Sequence, residues 1–130
     1  DWSARVALSG SDDRTLRLWD LDGASCVRTF EGHDDWVVCV EVDWSSCRAI
    51  TGCNDCMLKV WDLRSERVDT LRGHTGGVAC LAIDWKRGSA VSGSSDCTLR
   101  LWDVQSSLCL RVFNGHDGCA YRLVVDWASG

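Results

Sequence analysis

Three histidines recur in register with a hydroxyl, a carboxylate and an indole. His33 stands with Thr51, Asp55 and Trp61, and His74 with Ser92, Asp96 and Trp102. The third, His116, calls for the equivalents of Ser9, Asp13 and Trp19 one repeat further on. A hydroxyl, an imidazole and a carboxylate in hydrogen-bond contact are the means of nucleophilic hydrolysis. Against that chemistry, the set is repeated, and no copy carries a nucleophile elbow or an evident oxyanion site. A second group, Cys53-Asn54-Asp55-Cys56, has CxxC spacing. Zinc needs four ligands, and the nearest companions are Cys97, one repeat on, and His74, already used by the recurring set. A redox CxxC opens a helix, whereas this segment reads as a turn between strands. The expectation is no catalytic residue, no metal and no cofactor.

The residues around these sets repeat as well. Asp-Trp begins at Asp1, Asp43, Asp84 and Asp126, Trp-Asp at Trp19, Trp61 and Trp102, and Gly-His at Gly32, Gly73 and Gly115. Each series advances by 41 or 42 residues; Asp-Trp to Trp-Asp is always 18 and Gly-His to the next Asp-Trp always 11. The one-residue change falls between Trp-Asp and Gly-His, which predicts a loop at 21–25, 63–66 and 104–108. The repeats divide the chain, one domain over 1–130, into 1–42, 43–83 and 84–125, with a fourth beginning at 126–130.

Each repeat holds short apolar runs, none long enough for a helix. The runs 37–42, 78–83 and 120–125 are apolar on nearly both faces, as in a strand covered on both sides. Three further sets follow the same period: 5–9, 48–51 and 89–92; 15–20, 57–62 and 98–103; 26–30, 67–71 and 109–113. Turn sequences such as Gly10-Ser11-Asp12-Asp13 separate them. Four short strands every ~42 residues is the period of a propeller blade.

The strings GSDDRTLRLWD, GCNDCMLKVWD and GSSDCTLRLWD, each followed by a Gly-His, resemble the WD-repeat β-propeller family over essentially the whole chain. The resemblance implies an all-β propeller segment, three blades' worth of four-stranded antiparallel sheets. It also implies that the recurring set is the family's structural tetrad, running from Trp through hydroxyl and His to Asp. One departure is the turn after the innermost strand. The family often has Ser-Pro-Asp-Gly there, while this chain has Asp-Trp-Ser and no proline, which places aromatics on one rim.

The charge is −5 with a pI near 5.0, and basic and acidic residues alternate. No basic footprint for nucleic acid appears, and no apolar run approaches the ~20 residues of a membrane-spanning helix. The nine cysteines are odd in number and fall at matching positions: Cys39 with Cys80, Cys26 with Cys109, Cys56 with Cys97. Reduced thiols in an intracellular, cytoplasmic protein are the expectation.

The expected function is a non-enzymatic scaffold that binds other proteins or peptides. Two alternatives stand beside it: a regulatory or targeting domain of a larger enzyme or ubiquitin-ligase receptor, and a fragment that assembles with itself. Trp2, Trp44, Trp85 and Trp127 recur and are expected to plug the seams between blades. Trp36 is matched by Gly77 and Cys119 and follows Gly-His, where this family commonly binds peptides. It centres the expected protein-binding face, with Asp35, Asp12 and Arg14 nearby. Reading from residue 5, the strands run second, third, fourth, then two full sets, then a lone first strand at 120–125. Such an arc cannot close on itself. It implies either a slice of a longer array or head-to-tail dimers or trimers forming rings of six or nine blades.

Overall fold

The computed structural model describes residues 1 and 3–128. Among these residues eleven antiparallel strands form three sheets, each a meander in chain order. The first sheet comprises β1 (Val6–Gly10), β2 (Leu16–Asp20) and β3 (Ser25–Phe30). The second comprises β4 (Val37–Asp43), β5 (Arg48–Cys53), β6 (Leu58–Asp62) and β7 (Val68–Leu71). The third comprises β8 (Val78–Asp84), β9 (Ser89–Ser94), β10 (Thr98–Asp103) and β11 (Leu108–Asn114). This is an all-β propeller segment. Among the described residues no helix is long and apolar enough to cross a membrane.

The turns explain how a chain without proline folds into so many hairpins. An aspartate in each one captures the amide two residues on. Asp43 Oδ1 takes Ser45 N at 2.9 Å, Asp55 Oδ1 takes Met57 N at 2.9 Å, and Asp62 Oδ1 takes Arg64 N at 2.9 Å. The equivalent aspartates of the other repeats do the same: Asp1, Asp13, Asp20, Asp84, Asp96 and Asp103. Side-chain capture of this kind stands in for a rigid proline. Left-handed residues close the turns, at Arg5, Cys47 and Gly88 in one series and Arg14, Cys56 and Cys97 in another.

The sheets stack face to face. Successive strand residues point to opposite faces, so the middle sheet feeds two cores. Ala49 and Trp61 join Leu16, Phe30, Val37 and Leu63 in the seam with the first sheet. Ile50 and Val60 join Leu58, Leu71, Ala90 and Trp102 in the seam with the third. Trp102 is fully buried, and enclosing such a side chain contributes about 1.5–3 kcal/mol. Trp44 and Trp85 pack against these two cores, as the seam reading expects, whereas Trp2 lies outside the described residues. At each seam the innermost strand of one sheet presses on a glycine of the sheet before it. A Cβ on Gly10 would lie 2.5 Å from Val37 Cγ1 and one on Gly52 2.6 Å from Val78 Cγ1; beyond the seams, one on Gly93 would lie 2.7 Å from Cys80 Sγ of its own sheet and 2.8 Å from Ala120 O.

Two expectations need correction. The extra residue of the longer repeats does not lengthen the loop. Asp20 pairs with Ser25 and Asp103 with Leu108, and Asp62 N bonds Arg67 O, so the hairpin loop holds four residues each time. The extra residue is a β-bulge in the outermost strand, Val27 opposite Leu18/Trp19 and Leu110 opposite Leu101/Trp102, while β7 pairs with β6 without one. An edge strand has a free side on which a bulge costs no second ladder.

The second correction concerns 120–125, expected as a lone first strand, which forms no strand; the sheets of three, four and four strands are those expected on reading from residue 5. Ala120 is anchored by its amide on Ser94 O at 3.1 Å, and 121–125 belong to no sheet.

Candidate functional site

The register of β4, β5 and β6 places the hydroxyl of the first complete set. Thr51 lies opposite Val40 on one side and Lys59 on the other, on the middle of the inner sheet. His33, just before β4, reaches Thr51 Oγ1 through Nε2 at 2.7 Å and Asp55 Oδ2 through Nδ1 at 2.7 Å. Trp61 Nε1 donates to the same Oγ1 at 2.9 Å. In the third sheet His74 Nε2 meets Ser92 Oγ at 2.7 Å, His74 Nδ1 meets Asp96 Oδ2 at 2.7 Å, and Trp102 Nε1 donates to Ser92 Oγ at 2.8 Å. A carboxylate only accepts, so Nδ1 carries the proton and Nε2 accepts from the hydroxyl. Gly32 and Gly73 let the chain pass over the indole edges, where a Cβ would sit 3.3 Å and 3.1 Å from the ring.

This wiring is that of a Ser-His-Asp triad, and its surroundings decide against that use. Thr51 and Ser92 are 0% exposed, so no reacting atom can come within the ~3 Å that attack needs. The hydroxyl oxygen is also engaged by an indole N–H. Burial holds His33 and His74 below the ordinary histidine value, against the pull of their aspartates. Burial pushes Asp55 and Asp96 up, but the hydrogen bonds they accept outweigh it and leave both below the ordinary carboxylate value. Each network is thus a neutral imidazole between an ionised carboxylate and a hydroxyl, with its buried polar atoms satisfied.

The first and last members stay apart. Trp19 Nε1 donates to Ser9 Oγ at 2.9 Å, and Asp13 holds the amide and hydroxyl of Thr15, but no imidazole lies between them. His116 is exposed at the other end of the arc.

Cys53 proves to be a neighbour of this network, which sequence reasoning placed with Cys97 and His74. The ligand atoms of His33, Cys53 and Asp55 lie within 4.8 Å of one another. Three such donors are a conceivable soft-metal site, yet the imidazole and carboxylate are bonded to each other, and burial pushes the Cys53 thiol up to about 12, away from the thiolate a metal takes. The third sheet explains the cysteine. Ser94 Oγ donates to Gly76 O at 2.9 Å and receives Asp96 N at 3.0 Å; Cys53 Sγ does the same toward Asp35 O and Asp55 N at 3.2 and 3.3 Å. Cys56 sits in the turn with its thiol on Asn54 O.

The residues of the expected binding face lie on Trp36's own segment and on the neighbouring second-turn loop. Val37 N bonds Ser11 O at 3.1 Å and Asn54 N bonds Trp36 O at 3.0 Å, so Trp36 lies between the second-turn loops of two sheets. Trp36 is 52% exposed. Asp12 and Arg14 are exposed, and half-buried Asp35 accepts the Trp36 amide at 2.8 Å. At the matching position in the third sheet a Cβ on Gly77 would lie 2.6 Å from Asn54 Oδ1.

The sequence profile described as "WD domain, G-beta repeat" matches residues 2–20, 24–62 and 65–103, well over half of the chain. The chain belongs to the WD40 family. Among curated relatives, a "Probable E3 ubiquitin ligase complex SCF subunit sconB" of Emericella nidulans is 61% identical over 33 residues, 25% of this chain and 5% of that protein. Its namesake in Talaromyces stipitatus is 58% identical over 33 residues, again 25% of this chain and 5% of that protein. A "Lissencephaly-1 homolog" of Branchiostoma floridae is 46% identical over 35 residues, 27% of this chain and 9% of that protein. The matched stretches thus span a small fraction of each relative and are shorter than one WD40 repeat of this chain.

Proposed function

We propose that this WD40 chain is a non-enzymatic scaffold that recruits other proteins or peptides through the face centred on Trp36. The observation that carries the reading is the exposed indole of Trp36 on a rim whose matching positions are Gly77 and Cys119. A large apolar group with a polar N–H, beside Asp35 and next to the turn that carries Asp12 and Arg14, has the anatomy of an interface anchor. Acidic neighbours Asp12, Asp34 and Asp35 favour a basic peptide and give its association rate a salt dependence. The enclosure of Thr51 and Ser92 supports the non-enzymatic half. Nine free thiols suit a reducing, intracellular and cytoplasmic setting. The names of the relatives fit protein assembly in general, and the short matches carry the repeat rather than any partner.

The test uses an array of basic peptides probed with wild type and Trp36→Ala. The variant is expected to lose at least about 1–2 kcal/mol of affinity, roughly 5–30-fold, at unchanged melting temperature. Unchanged binding with a lowered melting temperature makes Trp36 a packing residue and ends this surface assignment.

A further inference from the structure

The two seams differ at their outer ends. In the first, Arg28 reaches across from β3 and donates Nη1 to Leu63 O and Nη2 to Ser65 O, both at 3.1 Å. Its guanidinium also lies 4.8 Å from the centre of the Phe30 ring. In the second seam the place of Arg28 belongs to Asp69, since Arg28 lies opposite Leu18 and Asp69 opposite Val60. Asp69 does not cross the seam but pairs with Arg67 of its own sheet at 3.3 Å. Beside Asp69 and Val104, the counterparts of Arg28 and Leu63, lies a cavity of about 340 Å³. Arg48 and Arg64 of the second sheet and Gln105 of the third line it, over a floor of buried Val60 and Val104.

The charges around this cavity are unevenly committed. Both oxygens of Asp62 are taken up in its own turn, by Arg64 N at 2.9 Å and Ser65 Oγ at 3.0 Å, and Asp69 is held by Arg67. The guanidiniums of Arg48 and Arg64 make no hydrogen bond or ion pair among the described residues, and neither does the Gln105 carboxamide. Arg48 is half-buried and steadied over Trp85 of the third sheet, 5.7 Å from the ring centre. Neither arginine belongs to the repeat: Arg48 stands where the other copies have Val6 and Ser89, and Arg64 where they have Asp22 and Gln105. The cavity of about 430 Å³ in the first seam is different, because Glu31, Asp62 and Glu66 line it and Arg28 is already spent on two carbonyls.

We propose that the cavity in the second seam binds a phosphate group, free or esterified, held by the guanidiniums of Arg48 and Arg64 with Gln105 donating from the third sheet. Each guanidinium offers a planar fork of N–H donors, which fits an oxyanion in a bidentate manner. A phosphate monoester brings three acceptor oxygens and a charge of about −1.5 to −2 near neutral pH, so it gains more from two such forks than a singly charged carboxylate does. A cation has no comparable place, because three guanidiniums face two carboxylates there and both carboxylates are already engaged. The donors come from both sheets, so the anion joins them across the seam at the place where Arg28 joins the first pair. Binding to the folded chain alone then stabilises it.

The test titrates the chain with O-phosphoserine and follows the arginine Nε–H signals by proton–nitrogen NMR, with serine as the blank. The signals of Arg48 and Arg64 are expected to shift together and to saturate. Arg48→Gln and Arg64→Gln are each expected to raise the dissociation constant at least about fivefold. Arg72→Gln, at the far end of β7, is expected to leave it unchanged. Phosphate salts stabilise folded proteins in general, so a rise in melting midpoint counts only where Arg48→Gln abolishes it. Inorganic phosphate binding more tightly than O-phosphoserine assigns the site to the free ion, and the reverse order assigns it to an ester. Shifts that stay linear in O-phosphoserine concentration, equal shifts with serine, or binding by Arg48→Gln within about twofold of wild type overturn the proposal. If a variant fails to fold, the wild-type pattern of shifts decides.

Discussion

Replacing His74 by alanine removes the centre of one buried network, and the structure fixes what is left behind. Asp96 keeps three donors: Thr75 N at 3.0 Å, Thr98 N at 2.9 Å and Thr98 Oγ1 at 2.7 Å. Its carboxylate is therefore not orphaned. Ser92 keeps the indole donor of Trp102 at 2.8 Å, but its own O–H loses the acceptor 2.7 Å away, in a site with no water access. A buried donor left unmade costs about 1–3 kcal/mol, and the space vacated beside Trp102 adds to it, for roughly 2–4 kcal/mol in total. In a domain of this size each kcal/mol moves the midpoint by about 3–5 °C, so a fall of roughly 6–20 °C is expected. Thermal melts followed by near-ultraviolet circular dichroism at about pH 7.5 measure it. Ser92→Ala should cost a similar amount, by leaving the Trp102 N–H unpaired. The double variant should cost less than the sum by about 0.5–3 kcal/mol, since both changes break one network. A midpoint within about 2 °C of wild type for His74→Ala would falsify the structural reading of the network. A hydrolytic activity lost in Ser92→Ala, with stability intact, would restore the catalytic one.

Two further outcomes follow from the seams and from the buried imidazoles. Burial depresses His33 and His74 below 6.5, so on acidification the unfolded chain takes up protons first. Stability is then fully present above about pH 7 and declines as pH falls through 6.5 toward the folded-state values; greater stability near pH 5.5 than near pH 7.5 in urea titrations contradicts this. Gly52→Ala puts a methyl 2.6 Å from Val78 Cγ1 and 2.7 Å from Cys39 Sγ, and should destabilise by about 1–3 kcal/mol. Gly118→Ala, with nothing within 4 Å, is the control, and equal midpoints for the two variants would show that the seam is not closely packed at Gly52.

The networks were legible because they rest on fixed spacing. Hydroxyl and histidine stand 18 residues apart, as in His33–Thr51 and His74–Ser92, and the hairpins between them do not change length. The bulges at Val27 and Leu110 were not legible. A one-residue difference in sequence does not say whether a turn lengthens or a strand buckles, and only the pairing of Asp20 with Ser25 and Asp62 with Arg67 separates the two. The neighbours of Cys53 were not legible for a related reason, although its stand-in for the serine at Ser94 was. Its partners Asp35 and His33 come from the preceding strand entry, close in space through the β4–β5 ladder but distant from the CxxC neighbours that the sequence suggests.

Local chemistry and periodicity, both written along the chain, determined the all-β class, the blade period, the turn aspartates and the identity of each network's members. Such features depend on residues at constant separation, and a strict repeat states them several times over. Tertiary structure alone decided how the repeats face one another. It showed that Trp44 and Trp85 fill seams while Trp36 is half exposed, that Gly10 and Gly52 are pressed by the next sheet, and that residues 121–125 form no strand. Those properties arise from the stacking of whole sheets, and a position's exposure there depends on a neighbour dozens of residues away.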